Sequence, residues 1–247
     1  LKNYQTDLVI CGGTELNLNP STFVSFATLG ALSVRGCKPF DREHDGVVQG
    51  EGAGIVILQR YSDALKYGNK IRATIRAIGS STDTNSSSLF APTVKGQLLA
   101  YQRAYAHLPN RKTDYIEAHG TGTITGDETE IESLATFFGN FNIPFGSAKY
   151  LIGHTRGAAG IFGILKSLLI IEKKTIPGSR YFNQYSSTQR GNLFINKESI
   201  SLKNKENSIK IGCSAFGFGG CNSHIVLEEP KHTYTSISTE KKPQRQE

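Results

Sequence analysis

The chain has 247 residues, of which 38% are hydrophobic and 20% charged, a composition for a soluble globular protein of one large domain or two small ones. No apolar run approaches the ~20 residues of a membrane helix. The most apolar stretch, residues 161–171, is too short and contains Lys166. The formal charge of +7 is scattered and extends into the tail, with no nucleic-acid motif beside it. It reads as solvated surface, or as a field that would steer an acidic partner.

In chain order, residues 1–6 read as the end of a helix. Asp7-Leu8-Val9-Ile10-Cys11 reads as a buried strand stopped by Gly12-Gly13. Residues 20–36 read as helix and loop, with Phe23, Phe26, Leu29 and Leu32 near helical spacing and assigned to the core. Glycines 50, 52 and 54 lead into Ile55-Val56-Ile57-Leu58, a buried strand. No lysine-serine or lysine-threonine pair follows them, so close packing accounts for them better than a phosphate loop does.

Residues 62–67 read as a short helix, 71–78 as a strand, 79–88 as a polar loop and 92–106 as a helix. A strand then delivers His119. Gly126-Asp127-Glu128-Thr129-Glu130 opens another helix, where acidic groups suit the dipole. Residues 144–148 read as a strand entering Lys149, followed by a turn at Gly153-His154 and a helix from Ile161. Residues 173–204 are loop-rich. Strands at 208–213 and 224–227 flank an aromatic glycine turn at 216–220. Residues 231–247 suit a linker or disordered tail. The strand–helix alternation after residue 70 indicates an α/β sheet.

Chemistry concentrates in two places. Tyr115-Ile116-Glu117-Ala118-His119-Gly120-Thr121-Gly122-Thr123 brings a histidine to a tight turn with two hydroxyls. Ser147-Ala148-Lys149-Tyr150-Leu151-Ile152-Gly153-His154-Thr155 adds a lysine and a second histidine. Either histidine alone reads as a turn or core residue. Together with Lys149 they are the materials of a proton-transfer and oxyanion site. The four cysteines show neither metal-ligand spacing nor a disulfide framework, so no metal is expected and reduced thiols in a cytoplasmic protein are the simpler account.

The combined pattern resembles the β-ketoacyl synthases, the condensing enzymes of polyketide and fatty-acid assembly. The residues carrying it are Glu117-Ala118-His119-Gly120-Thr121-Gly122-Thr123, Gly126-Asp127 with Glu130, Lys149, Gly153-His154-Thr155 and Gly157-Ala158-Ala159-Gly160. Phe216-Gly217-Phe218-Gly219-Gly220 with Asn222 and His224 completes it.

The resemblance implies a thiolase-like layered α-β-α-β-α fold. Residues 1–70 would be the tail of its N-terminal half, 71–230 its complete C-terminal half, and 231–247 the linker. It implies that His119 and His154 are catalytic, binding an extender thioester through neutral N–H donors, with Lys149 holding the local charge beside Asp127 and Glu130. Thr121 and Thr123 would bind a phosphopantetheine arm, carried by an acyl carrier protein rather than held as a cofactor of this chain. Phe218 would be either a gating aromatic or a core residue.

The family's nucleophilic cysteine lies upstream of the first strand, and none of Cys11, Cys37, Cys213 and Cys221 replaces it by position. Cys221 stands where the synthases usually have threonine. The resemblance therefore implies a partner segment carrying that cysteine, and a dimer of the assembled domain. Two rivals remain at this stage. A noncatalytic chain-length or scaffold partner need not keep both histidines and Lys149. A degradative thiolase would have proline in place of Thr155.

Overall fold

A computed structural model describes residues 1–16, 19–83, 91–180, 182–187 and 190–231. The elements in order are β1 (Leu8–Glu15), α1 (Pro20–Thr28), β2 (Gly52–Gln59), α2 (Tyr61–Lys66), β3 (Thr74–Thr82), α3 (Val94–Tyr105), β4 (Tyr115–Glu117) and α4 (Ile124–Phe138). They continue with β5 (Phe145–Gly146), α5 (Lys149–Ile152), α6 (Ala159–Lys173), β6 (Thr175–Ile176), β7 (Ile200–Ser201), β8 (Lys210–Gly217) and β9 (Cys221–Glu228).

A five-stranded sheet in the order β3-β9-β8-β4-β5 forms the centre. β3, β9 and β8 run antiparallel to their neighbours, while β8, β4 and β5 run parallel. β1 and β2 form a separate antiparallel pair.

Helix α6 lies between the two sheets. On one side Gly163 lies against Cys213 Sγ on β8 and the Glu117 stem on β4; on the other, Gly54 lies against the side chains of Leu165 and Ile161. A helix that is apolar on opposing faces needs two partners, and α6 has them. On the far face of the five-stranded sheet, α3 packs on β3, β9 and α4. The apolar core there gathers Tyr101, Tyr105, Phe137, Phe138, Phe145 and Phe216 around Ile116. The layers are thus sheet, helix, sheet, helices.

Local chemistry fixes the helix starts. The Thr93 hydroxyl accepts from Gly96 N (3.1 Å) and that of Thr123 from Gly126 N (3.2 Å), each capping a helix at its first free N–H groups. Close approach fixes two glycines. A Cβ on Gly79 would fall 2.1 Å from the Ala100 carbonyl oxygen and 2.4 Å from Ala104 N. A Cβ on Gly160 would meet only Ala215 Cβ, at 3.5 Å. Gly79→Ala is therefore expected to lower the unfolding free energy by about 3 kcal/mol as α3 is pushed off β3. Gly160→Ala, in a helix, is expected to raise it by about 0.5–1 kcal/mol. Urea denaturation of the two variants gives both signs.

Several sequence expectations change. Residues 1–6 form turns, not a helix. Lys149 opens the short helix α5 instead of ending a strand. The larger correction concerns β2 and α1. The apolar runs there were assigned to a core, yet Ile55 and Ile57 are 68% and 65% exposed, as is Ile10 at 66% on paired β1. No residue of α1 is buried, and Phe23 and Leu29 are exposed. One face of the β1–β2 pair rests on α6 and the other, lined by Leu8, Ile10, Ile55 and Ile57, is bare. β3 runs on to Thr82, into the stretch read as polar loop; residues 84–88 of that stretch and 232–247 of the tail lie outside the described residues. No helix among the described residues is long and apolar enough to cross a membrane.

Candidate active site

The C-terminal end of β4 delivers His119, and the chain then turns through Gly120 and Gly122, at φ +43° and +80°. A left-handed backbone favours glycine at both points. A Cβ on Gly120 would also meet Ser147 Cβ at 2.7 Å and the Phe40 ring at 2.8 Å.

Two carboxylates from α4 hold this turn. Glu130 accepts from His119 N and Gly120 N, each at 2.7 Å. Asp127 accepts from Gly122 N at 3.0 Å through one oxygen and from Phe40 N at 2.6 Å through the other. Both side chains are buried. They were expected either to suit the helix start or to organise the site; the structure has them satisfying the N–H groups of the turn itself, while Thr123 caps the helix. Burial pushes the Glu130 carboxyl up to about 7, against the lowering effect of its two N–H donors.

Lys149 approaches from α5. Its Nζ donates to the His119 carbonyl oxygen and lies 3.4 Å from His119 Nδ1. Burial lowers its pKa, and the Glu117 and Glu130 carboxylates partly restore it. Glu117, buried at the end of β4, accepts from Ala148 N at 2.5 Å and pairs with Lys166 Nζ at 2.7 Å. It stood in the sequence motif, but only the fold exposes its position beneath Lys149.

His154 follows Gly153, whose φ of +73° brings its neighbour beside the 48–50 segment, and His154 N donates to the Val48 carbonyl at 2.7 Å. The two imidazole rings are 5.5 Å apart and nearly perpendicular. His154 Nδ1 accepts from Arg156 N at 3.0 Å, which leaves the proton on Nε2. A Lys149 ammonium beside His119 Nδ1 selects the same tautomer there. Burial, then Lys149, then Arg156 lower the His154 pKa to about 3. Burial, then Lys149 and His154 hold His119 well below its ordinary value. Both rings are thus neutral Nε2–H donors, and both residues are half-buried.

The sequence therefore selected a cluster that the fold assembles: His119, Lys149, His154, Asp127 and Glu130. The threonines are adjacent but engaged with each other, Thr121 Oγ1 to Thr123 Oγ1 at 2.9 Å. Phe218 is not a core residue: it is 66% exposed at the β8–β9 turn, with its ring centroid 6.4 Å from that of Phe26. The aromatic ring against His119 is Phe216, at 5.7 Å, which lies on β8 and not in the turn. Cys37 and Cys213 have thiols raised by burial to about 11 and about 12, the reverse of an activated nucleophile. Cys11 lies on β1 opposite Val56, and Cys221 is exposed at the start of β9. Among the described residues there is no His, Cys, Asp and Glu group suited to a metal.

A layered α/β fold with this His–Lys–His cluster defines a condensing-enzyme type of domain. The description "Beta-ketoacyl synthase, N-terminal domain" matches residues 1–64, and "Beta-ketoacyl synthase, C-terminal domain" matches residues 72–183. The chain belongs to the β-ketoacyl synthase family.

It is 36% identical to one phenolphthiocerol/phthiocerol polyketide synthase polypeptide of Mycobacterium tuberculosis, over 99% of this chain and 12% of that protein. It is 34% identical to another polypeptide of the same synthase, over 93% of this chain and 15% of that protein. It superimposes on the ketosynthase from module 6 of the bacillaene synthase of Bacillus subtilis with a TM-score of 0.89 and 33% identity, covering 94% of this chain and 44% of that one. The ishigamide ketosynthase/chain length factor gives 0.82 and 25%, covering 93% and 55%. The solved ketosynthases share the thiolase-like fold expected from sequence. The chain spans under a sixth of those polyketide synthase polypeptides and under half of the bacillaene ketosynthase.

Proposed function

We propose that this chain supplies the histidine–lysine side of a decarboxylative Claisen condensation site. The extender is a malonyl-type thioester on the phosphopantetheine arm of an acyl carrier protein. The observation that carries this reading is the pair of neutral imidazoles, each with Nδ1 occupied and Nε2–H free to donate.

Two such donors on the thioester oxygen favour the enolate formed as the carboxylate carbon leaves as carbon dioxide. The enolate carbon then attacks an acyl thioester, a carbon–carbon bond forms, and the thiolate departs. Lys149, through the His119 carbonyl and Nδ1, fixes the ring and its tautomer. Thr121 and Thr123, their hydroxyls 2.9 Å apart, bind the pantetheine arm. Phe218, exposed beside Phe26, suits a gate over the acyl channel.

The acyl-carrying thiol, in this reading, comes from a segment outside these residues, in the same or another polypeptide. The raised thiols of Cys37 and Cys213 support that, as does the bare isoleucine face of the β1–β2 pair, which suits cover by such a segment. The assembled domain is a dimer.

The test has two arms. The purified chain is incubated with malonyl-carrier thioester, and carbon dioxide and acetyl-carrier are measured. Separately, intact mass is read after exposure to an acyl thioester. Turnover to acetyl-carrier with no acyl adduct on the four cysteines is expected. An adduct on any of them would overturn the outside thiol. A decarboxylation rate equal to the uncatalysed background would overturn the catalytic reading in favour of a noncatalytic partner, a pairing that the ketosynthase/chain length factor neighbour illustrates.

A further inference from the structure

The loop before β2 carries a buried histidine that the proposed chemistry does not use. His44 Nδ1 lies 3.1 Å from Asp127 Oδ2, the oxygen that also accepts from Phe40 N, while Oδ1 holds Gly122 N. One carboxylate thus ties the loop at Phe40 and His44 to the turn at Gly122.

The loop is set for this contact. Phe40 adopts φ +65°, unusual for a side chain of its size, and its ring fills the space above Gly120 and packs edge-on to Phe145 at 5.1 Å. His44 N donates to the Asp41 carbonyl at 3.0 Å, and Gly46 N to the Gly122 carbonyl at 2.9 Å. The loop therefore grips the turn from both sides, by a carboxylate relay and by a direct backbone bond.

We propose that His44 is a positioning residue for the His119–Thr123 turn, acting through Asp127, and that its protonation state adjusts how firmly that turn is held. The catalytic consequence rests on the proposed function; the mechanical coupling does not. The charged groups facing His44 are Asp127 and Glu128 from the start of α4 and Asp41 from its own loop, all acidic. Burial disfavours the imidazolium, but the Asp127 bond and the three carboxylates outweigh it, so the His44 pKa lies above 6.5. The charged clamp is complete below that ordinary value and is lost as pH rises through the folded one.

The test is nitrogen–proton NMR of the full chain from pH 5 to 9, following the His44 ring and the Gly122 amide. The Gly122 amide is expected to shift with the same midpoint as His44. His44→Gln, which retains an N–H donor without titrating, should keep the amide near its low-pH position and remove the inflection. His44→Leu should move the amide at every pH. An amide that ignores the His44 midpoint, or a shift at that midpoint that survives in His44→Gln, overturns the proposal; titration of Glu130 is followed separately at the Gly120 amide that it binds. Decarboxylation by the same wild-type sample is read in parallel. Coupling without decarboxylation sinks the proposed function alone; decarboxylation without coupling sinks this inference alone.

Discussion

His154→Ala is expected to slow malonyl-thioester decarboxylation about 10²–10³-fold, and His119→Ala by a similar factor. Each removes one preorganised N–H donor from the developing enolate oxygen. The environment makes the loss severe. The donors are neutral, their tautomers are set by Arg156 N and Lys149, and neither must reorganise during the reaction. The double variant should be little worse than either single one, because donors acting on one oxygen are not additive. Lys149→Met tests the positioning argument: it should weaken turnover while leaving His154 in place, since the ammonium bonds to the His119 carbonyl and lies at His119 Nδ1. Carbon dioxide release against malonyl-carrier concentration measures all four. A His154→Ala protein with wild-type turnover would remove the donor pair from the mechanism.

The second large effect concerns acid. Burial holds His119 well below its ordinary value and lowers His154 and His224 to about 3, against 6.5 in an unfolded chain. The stability these neutral rings confer is fully present above 6.5 and is lost as pH falls from there toward their folded values. Each proton bound only by the unfolded state lowers stability by about 1.4 kcal/mol per pH unit. Glu130 works in the opposite direction between about 7 and 4.5, because its folded form holds a proton that the unfolded form releases. Three histidines outnumber the one carboxyl, so the unfolded state takes up more protons than the folded one and stability falls with pH. Denaturant midpoints at pH 6.5, 5.5 and 4.8 should fall steeply. His224→Phe, amid the rings of Tyr101, Tyr105 and Phe138, should flatten the slope by one proton. A midpoint independent of pH over this range would contradict the buried, neutral assignment.

How much of this was legible beforehand depended on whether the cause was local. The glycines after His119 and the polar residues of the two clusters are read from neighbours in sequence, and the fold brings those clusters together as expected. The identity of a partner contributed from afar is not local. Nothing near Asp127 says that its carboxylate will receive the amides of Phe40 and Gly122, and nothing near His44 says that it will meet Asp127.

Burial failed for a different reason. Ile55-Val56-Ile57-Leu58 is apolar on both faces of its strand, so no alternation indicates which face is covered. Phe23, Phe26 and Leu29 have helical spacing, but spacing gives the direction of an apolar face and not the presence of something to cover it. Phe218 and Phe216 sit two residues apart on a hairpin, on which successive pairs share a face until the turn intervenes. The turn at Phe218 breaks that rule, leaving one ring against His119 and the other largely exposed beside Phe26.

The strand order bears on how the chain is made. β8 and β9 lie in the interior of the five-stranded sheet, between β3 and β4, yet both follow those strands in sequence. Until residue 228 has emerged, the β8–β9 hairpin that bridges β3 to β4 is incomplete. β3, β4 and the His119 turn therefore leave the ribosome before the hairpin that joins them. Closure of the sheet, with its long-range pairings, then comes as a late event.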